Sequence, residues 1–193
     1  MRVNFLIVWL VGLNIATTSV ADAASIKITP APLTSTEKKI ETLGTAIAVA
    51  EPLFAGGFSL YEDDWGGIGQ LIAETGLTVG TSLALKQVVR ERRPDRSDFS
   101  SFPSNTTALA ASGSSYLWGR YGWEYGLPAL AATEFVAYSR VQAKQHHWYD
   151  TLASSAIGAG YASIVTTRFR RYNVYTDLSA SPNGAYVRLS YAW

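Results

Sequence analysis

The chain has 193 residues, which at about 150 residues per domain makes it one domain, two at most. Sixteen basic residues against 15 acidic ones leave a net charge of +1, too small a basic excess for a nucleic-acid binder that works by displacing counterions. Apolar residues make up 48%, enough for a core, and the absence of cysteine excludes disulfides, thiol nucleophiles and thiolate metal sites.

Residues 1–23 read as a secretory signal. Arg2 supplies the basic start, residues 4–15 are almost wholly apolar, and Ala21-Asp22-Ala23 offers the small residues of a cleavage site. The apolar run is short of the ~20 residues of a membrane span. The expected location is therefore the periplasm or outside the cell after cleavage; the alternative is association with the membrane. Residues 24–35, with Pro30 and Pro32, read as an extended lead-in.

Residues 36–171 carry a helical pattern. Thr34 and Glu37 predict a capping box opening a helix over 36–50, which Pro52 bends or ends. Asp64 caps a second helix over 65–92, stopped by Pro94. A polar loop follows, then a third helix from Ser104 to about Gly119. Pro128 suits the first turn of a fourth helix over 127–143. A fifth covers 148–169. Residues 172–193 alternate around Ser181-Pro182-Asn183-Gly184, which predicts a β-hairpin. The fold class is thus an all-α bundle with a C-terminal β-hairpin. The helices are rich in Ala, Gly and Ser, which permits close packing in water or in lipid. Glu51-Pro52, Glu74, Glu134 and the serines of 112–115 interrupt the candidate spans, so a soluble or membrane-peripheral bundle is expected.

Three separated segments suit a phosphate. Lys86 and Arg93 are seven apart, two helical turns, so on one helix they share a face and can hold an oxyanion from two sides. Pro103-Ser104-Asn105-Thr106 at a helix start presents backbone N–H groups to an anion. In the third segment Arg140 adds a cation, and Asp150 lies four residues after His146, where a carboxylate can reach the imidazole.

In this order the segments resemble the signature of the type 2 phosphatidic acid phosphatase and vanadium-haloperoxidase superfamily: K-x(6)-R-P, then P-S-G-H, then S-R-x(5)-H-x(3)-D. The first motif is complete at Lys86, Arg93 and Pro94, and the third at Ser139, Arg140, His146 and Asp150. The resemblance covers about residues 60–168. It implies a helical bundle with the pocket at one end, and with Lys86, Arg93, Arg140 and the N–H groups of Ser104 and Asn105 on the phosphate. It further implies that His146 attacks phosphorus to give a phosphohistidine, oriented by Asp150, with no cofactor or metal. The partner implied is a phosphate-containing small molecule or lipid, with a peripheral membrane contact. The second motif departs from the pattern: Asn105 replaces glycine, and Thr106 replaces the histidine that acts as general acid. Threonine does not release a proton near neutral pH, so an impaired phosphatase is expected. The alternative is a non-catalytic relative that binds a phosphorylated lipid or anion. A haloperoxidase ranks last, since its acid–base histidine is missing too. His147 is not expected to compensate, because adjacent residues at a helix start point roughly 100° apart.

Overall fold

The computed structural model describes residues 32–169 and, as backbone, the strands at 173–181 and 184–192. The signal-like segment 1–23 and the lead-in up to residue 31 lie outside the described residues. Five helices run α1 Ser35–Tyr61, α2 Trp65–Val88, α3 Asn105–Tyr121, α4 Trp123–Gln142 and α5 Trp148–Val165. Strands β1 Asn173–Ser181 and β2 Gly184–Ala192 pair antiparallel, in a register that joins Ser181 to Gly184 and Asn173 to Ala192.

Among these helices α3 touches each of the other four, whereas α1 and α5 do not meet, nor do α2 and α4. The sequence of α3 allows this. Ala108, Ala110, Ala111, Ser112, Gly113 and Ser114 are buried and small, so neighbours can approach from all sides. The outer helices each turn a stripe inward at the helical period. In α1 the stripe is Gly44, Ala48, Glu51, Ala55 and Ser59; in α2 it is Gly67, Leu71, Glu74, Thr78 and Ser82. Many large apolar side chains point the other way, Leu53 being 70% exposed and Ile72 68%. α1 is long and apolar enough to cross a membrane. Small residues at the contacts with large apolar residues outside are also how helices pack in lipid.

Several helix ends differ from the expectation. The Thr34–Glu37 capping box is present, but α1 runs through Pro52 to Tyr61. Proline removes one N–H from the ladder, and α3 backs the helix at that point. A Cβ at Gly113 would lie 2.7 Å from both Pro52 N and the Glu51 carbonyl carbon. α2 opens on Asp64, whose Oδ1 accepts from Gly67 N at 2.8 Å, but it stops at Val88 instead of 92. Residues 89–93 leave the helix, and two of them bond the following loop: Arg93 N donates to Asp98 O at 3.0 Å, and Glu91 O accepts from Ser101 N at 3.0 Å. Lys86 and Arg93 therefore share no helix face. α4 begins at Trp123, so Pro128 sits inside it, and Gly122 at φ 109° makes the sharp corner between α3 and α4. α5 ends at Val165, where the chain turns to bond α2 and α3. Thr167 N reaches Gln70 Oε1 at 2.9 Å, and Phe169 N reaches Arg120 O at 2.8 Å.

The up-and-down order sends the end of α2, the start of α3, the end of α4 and the start of α5 to one end of the bundle. At the other end Arg120 clasps Asp64 through two hydrogen bonds, Nε to Oδ2 at 2.6 Å and Nη2 to Oδ1, and Tyr121 OH adds a third at 2.9 Å. Replacing Gly113 with leucine sets a side chain against the α1 backbone. The substitution is expected to destabilise the fold by about 1–3 kcal/mol, read as a lowered melting temperature by circular dichroism in detergent.

Candidate active site

Lys86, in the last turn of α2, reaches into the loop before α3. Its Nζ donates to the carbonyls of Ser100 at 2.5 Å and Pro103 at 2.8 Å, with Ser101 O at 3.5 Å. One ammonium thus gathers the loop backbone around itself. Arg93 is tied to the same loop, Nε to Asp98 Oδ1 at 2.9 Å and Nη2 to Ser100 Oγ at 3.3 Å.

His146 lies in the short link between α4 and α5, and it is buried. Its Nδ1 is 2.7 Å from Ser101 O. A carbonyl only accepts, so Nδ1 carries the proton and the lone pair is on Nε2. Asp150 stands further off, Oδ2 lying 3.6 Å from His146 Nδ1. That oxygen accepts instead from Ser101 Oγ at 2.6 Å and from His147 N at 2.8 Å. Asp150 Oδ1 is buried with no hydrogen-bond partner among the described residues. Burial pushes the His146 pKa down to about 4; the charges of Lys86 and Arg93 act in the same direction, against the Ser101 carbonyl and Asp150.

The second segment opens α3. Ser104 is the N-cap, its Oγ accepting from Thr107 N at 3.3 Å. Ser104 N is taken up by the Asp150 carbonyl at 3.4 Å, and Asn105 Oδ1 accepts from Ser82 Oγ at 2.7 Å. The N–H groups of Asn105 and Thr106 fall in the first turn, where a helix offers no internal acceptor. Arg140 is buried, and its fork is engaged by Glu41 O, by Gln145 Oε1 at 3.2 Å and by Ser139 Oγ at 3.1 Å. The structure therefore brings Lys86, Arg93, His146 and Asp150 around one loop, and it turns Arg140 towards α1.

The family model of the PAP2 superfamily matches residues 67–174, more than half of the chain. The chain belongs to the PAP2 superfamily. A lipid A 4'-phosphatase of Helicobacter pylori strain J99 is 30% identical over 158 residues, covering 74% of this chain and 80% of that protein. The crystal structure of Aquifex aeolicus LpxE shares the fold, with a TM-score of 0.50 at 18% identity over 67% of this chain and 92% of that one. The PAP2 match begins in the first turn of α2 and takes in all three site segments.

Sequence reasoning about this PAP2 site missed Ser101, Glu91 and the placement of His147. Ser101 serves His146 with its carbonyl and Asp150 with its hydroxyl. The only signal was its place in the Ser101-Phe102-Pro103 segment, since a backbone carbonyl has no side-chain signature. Glu91, His147 and Asp150 place one ligand atom each within 4.8 Å of one another, a spacing that suits a metal ion. Their oxygens already accept hydrogen bonds, Asp150 Oδ2 from Ser101 and His147, and Glu91 Oε1 from Tyr149 OH.

The low pKa of His146 keeps the imidazole neutral, the form with a lone pair on Nε2, down to about pH 4. An unfolded imidazole takes its proton near ~6.5. Between those values the unfolded chain binds the extra proton, so stability falls as the pH drops through this window. Proton NMR is expected to place the His146 midpoint near 4, and to move it upward in Lys86→Met, which removes a neighbouring positive charge.

Proposed function

We propose that this PAP2 protein is a phosphatase acting on phosphorylated lipids, through a phosphohistidine at His146. The observation that carries the reading is the tautomer of His146. The Ser101 carbonyl holds Nδ1–H and leaves Nε2 as a nucleophile in a pocket that also contains Lys86 and Arg93. The similarity to a lipid A 4'-phosphatase supports a lipid-linked phosphate as the substrate class.

In this reading the phosphoryl oxygens are taken by Arg93, Arg140, Lys86 and the first-turn N–H groups of α3 at Asn105 and Thr106. Fixed positive groups aimed at the developing negative charge lower the barrier without reorganisation. Arg140 joins them by exchanging Glu41 and Gln145 for the phosphate. Asp150 acts on His146 across 3.6 Å as a charge, while Ser101 supplies the hydrogen bond. No step in this scheme calls on a metal. The apolar exterior, with Leu53, Phe54, Ile72 and Ile164 exposed, supports a bundle seated in a membrane, where a lipid headgroup meets the pocket at one end.

Thr106 favours a second reading, a non-catalytic protein that binds the same headgroup, because a threonine hydroxyl supplies no acid where the family's histidine would. Phosphate release decides between them. Purified protein in micelles is expected to release phosphate from a lipid monophosphate, and His146→Ala is expected to fall to background while still binding phosphate. Binding without any release by the unsubstituted protein supports the second reading.

A further inference from the structure

Breaking the bond to an alkyl leaving group calls for a proton at the departing oxygen, and general acid catalysis of this kind is worth ~10²–10⁴ in rate. Thr106 does not provide it. Other acids near the pocket are committed. Asp95 Oδ1 accepts from Ser97 N at 2.9 Å, Asp98 is bound to Arg93 and Ser100, and the Tyr149 hydroxyl is bonded to Glu91.

His147 is placed differently from what its neighbourhood to His146 predicts. It is the N-cap of α5, with φ −79° and ψ 160°, so its backbone is extended and the helical step of roughly 100° does not separate the two rings. Both imidazoles come to the same residues. His147 Nδ1 lies 3.5 Å from Asp150 Oδ2, and His146 Nδ1 lies 3.6 Å from that atom. Ser101 faces both, its carbonyl towards His146 and its hydroxyl 3.4 Å from His147 Nδ1. The hydroxyl gives its own proton to Asp150 at 2.6 Å, so towards His147 it acts as an acceptor. Glu91 Oε1, 3.7 Å from His147 Nδ1, adds a further acceptor on that edge. The ring is stacked on Tyr149, with centroids 4.9 Å apart and planes 5° apart. The His147 side chain is 31% exposed against 6% for His146. Three acceptors thus lie 3.4–3.7 Å from Nδ1, beside the Asp150 N–H of the capping box, and Nε2 is the nitrogen left to exchange a proton.

We propose that His147 is the proton donor and acceptor of this site, standing in for the histidine absent at position 106, with Ser101 and Asp150 as its positioning residues. The proposal rests on the phosphatase reading above. His147 enters the first step with both ring nitrogens protonated. His146 Nε2 forms a bond to phosphorus as the bond from phosphorus to the leaving oxygen breaks. That oxygen takes the Nε2 proton of His147 and departs as the alcohol. In the second step a water molecule attacks the phosphohistidine and gives one proton to His147 Nε2. The phosphorus–nitrogen bond breaks, inorganic phosphate leaves, and His146 is neutral again.

The test compares leaving groups, because an aryl oxide departs without a proton and an alkoxide does not. The full-length protein in detergent micelles is assayed with p-nitrophenyl phosphate and with a lysophosphatidic acid. His147→Gln is expected to lower kcat on the alkyl ester by ~10²–10⁴ and on the aryl ester by less than ~10-fold. Ser101→Ala keeps the backbone carbonyl that holds His146, so it is expected to shift the alkyl-to-aryl ratio in the same direction by a smaller factor. A merely structural role for either residue would lower both rates together. An unchanged ratio in both variants, with His146→Ala abolishing both activities, overturns the assignment and leaves the phosphatase reading intact. Turnover abolished by a chelator and restored by zinc also overturns it, since His147 would then be a metal ligand. If the unsubstituted protein releases phosphate from neither ester, the phosphatase reading fails and this assignment falls with it.

Discussion

Everything in this fold depends on how closely other helices can approach α3. From Ala108 to Ser114 its buried residues are all Ala, Ser and Gly, and Gly113 lies against the backbone of α1 at Glu51-Pro52 with no room for a Cβ. Dispersion between tightly fitted backbones replaces the large apolar core of a typical soluble domain. The same fit explains the polar interior. Thr133 Oγ1 bonds Glu51 Oε2 and lies 2.8 Å from Ser114 Oγ, so α1, α3 and α4 are joined by short side chains that need close backbones to reach one another.

That constraint also sets where the chemistry sits. Helices stacked around one central member alternate in direction, and the alternation collects at one end the end of α2, the start of α3, the end of α4 and the start of α5, beside the N-terminal part of α1. The loop between α2 and α3 is then pinned by Lys86 on its carbonyls, while α5 holds it from the other side through Asp150. Ser101, between them, couples the two holds. A small displacement of this loop would disturb both imidazoles at once, which is why a serine with no chemistry of its own ranks among the residues of the site.

The electrostatics follow from the same arrangement. His146 is buried beside two cations and stays neutral at ordinary pH, with its lone pair on Nε2. Asp150 is wholly buried with one oxygen unpaired among the described residues, a penalty that ordinary packing removes and that functional sites retain. Arg120 and Asp64 form the counterpart at the far end, a buried pair whose fork is met on both prongs and which closes the bundle away from the pocket.

By itself the sequence determined the starts of α1, α2, α3 and α5, the family and the order of the site segments. Thr34, Asp64 and Ser104 cap helices because each bonds a backbone N–H within three residues, an event encoded locally. The two C-terminal strands pair with each other as neighbours in the chain, so they too are encoded locally. Only the tertiary structure decided that α1 and α4 run through their prolines, that α2 stops at Val88, and that Arg140 turns to Glu41. It also decided that His146 and His147 meet at Ser101. The acceptors in that meeting include a carbonyl 45 residues away in the chain. Every residue carries a carbonyl, so no residue type announces which one a histidine will find, and close packing around α3 makes that choice.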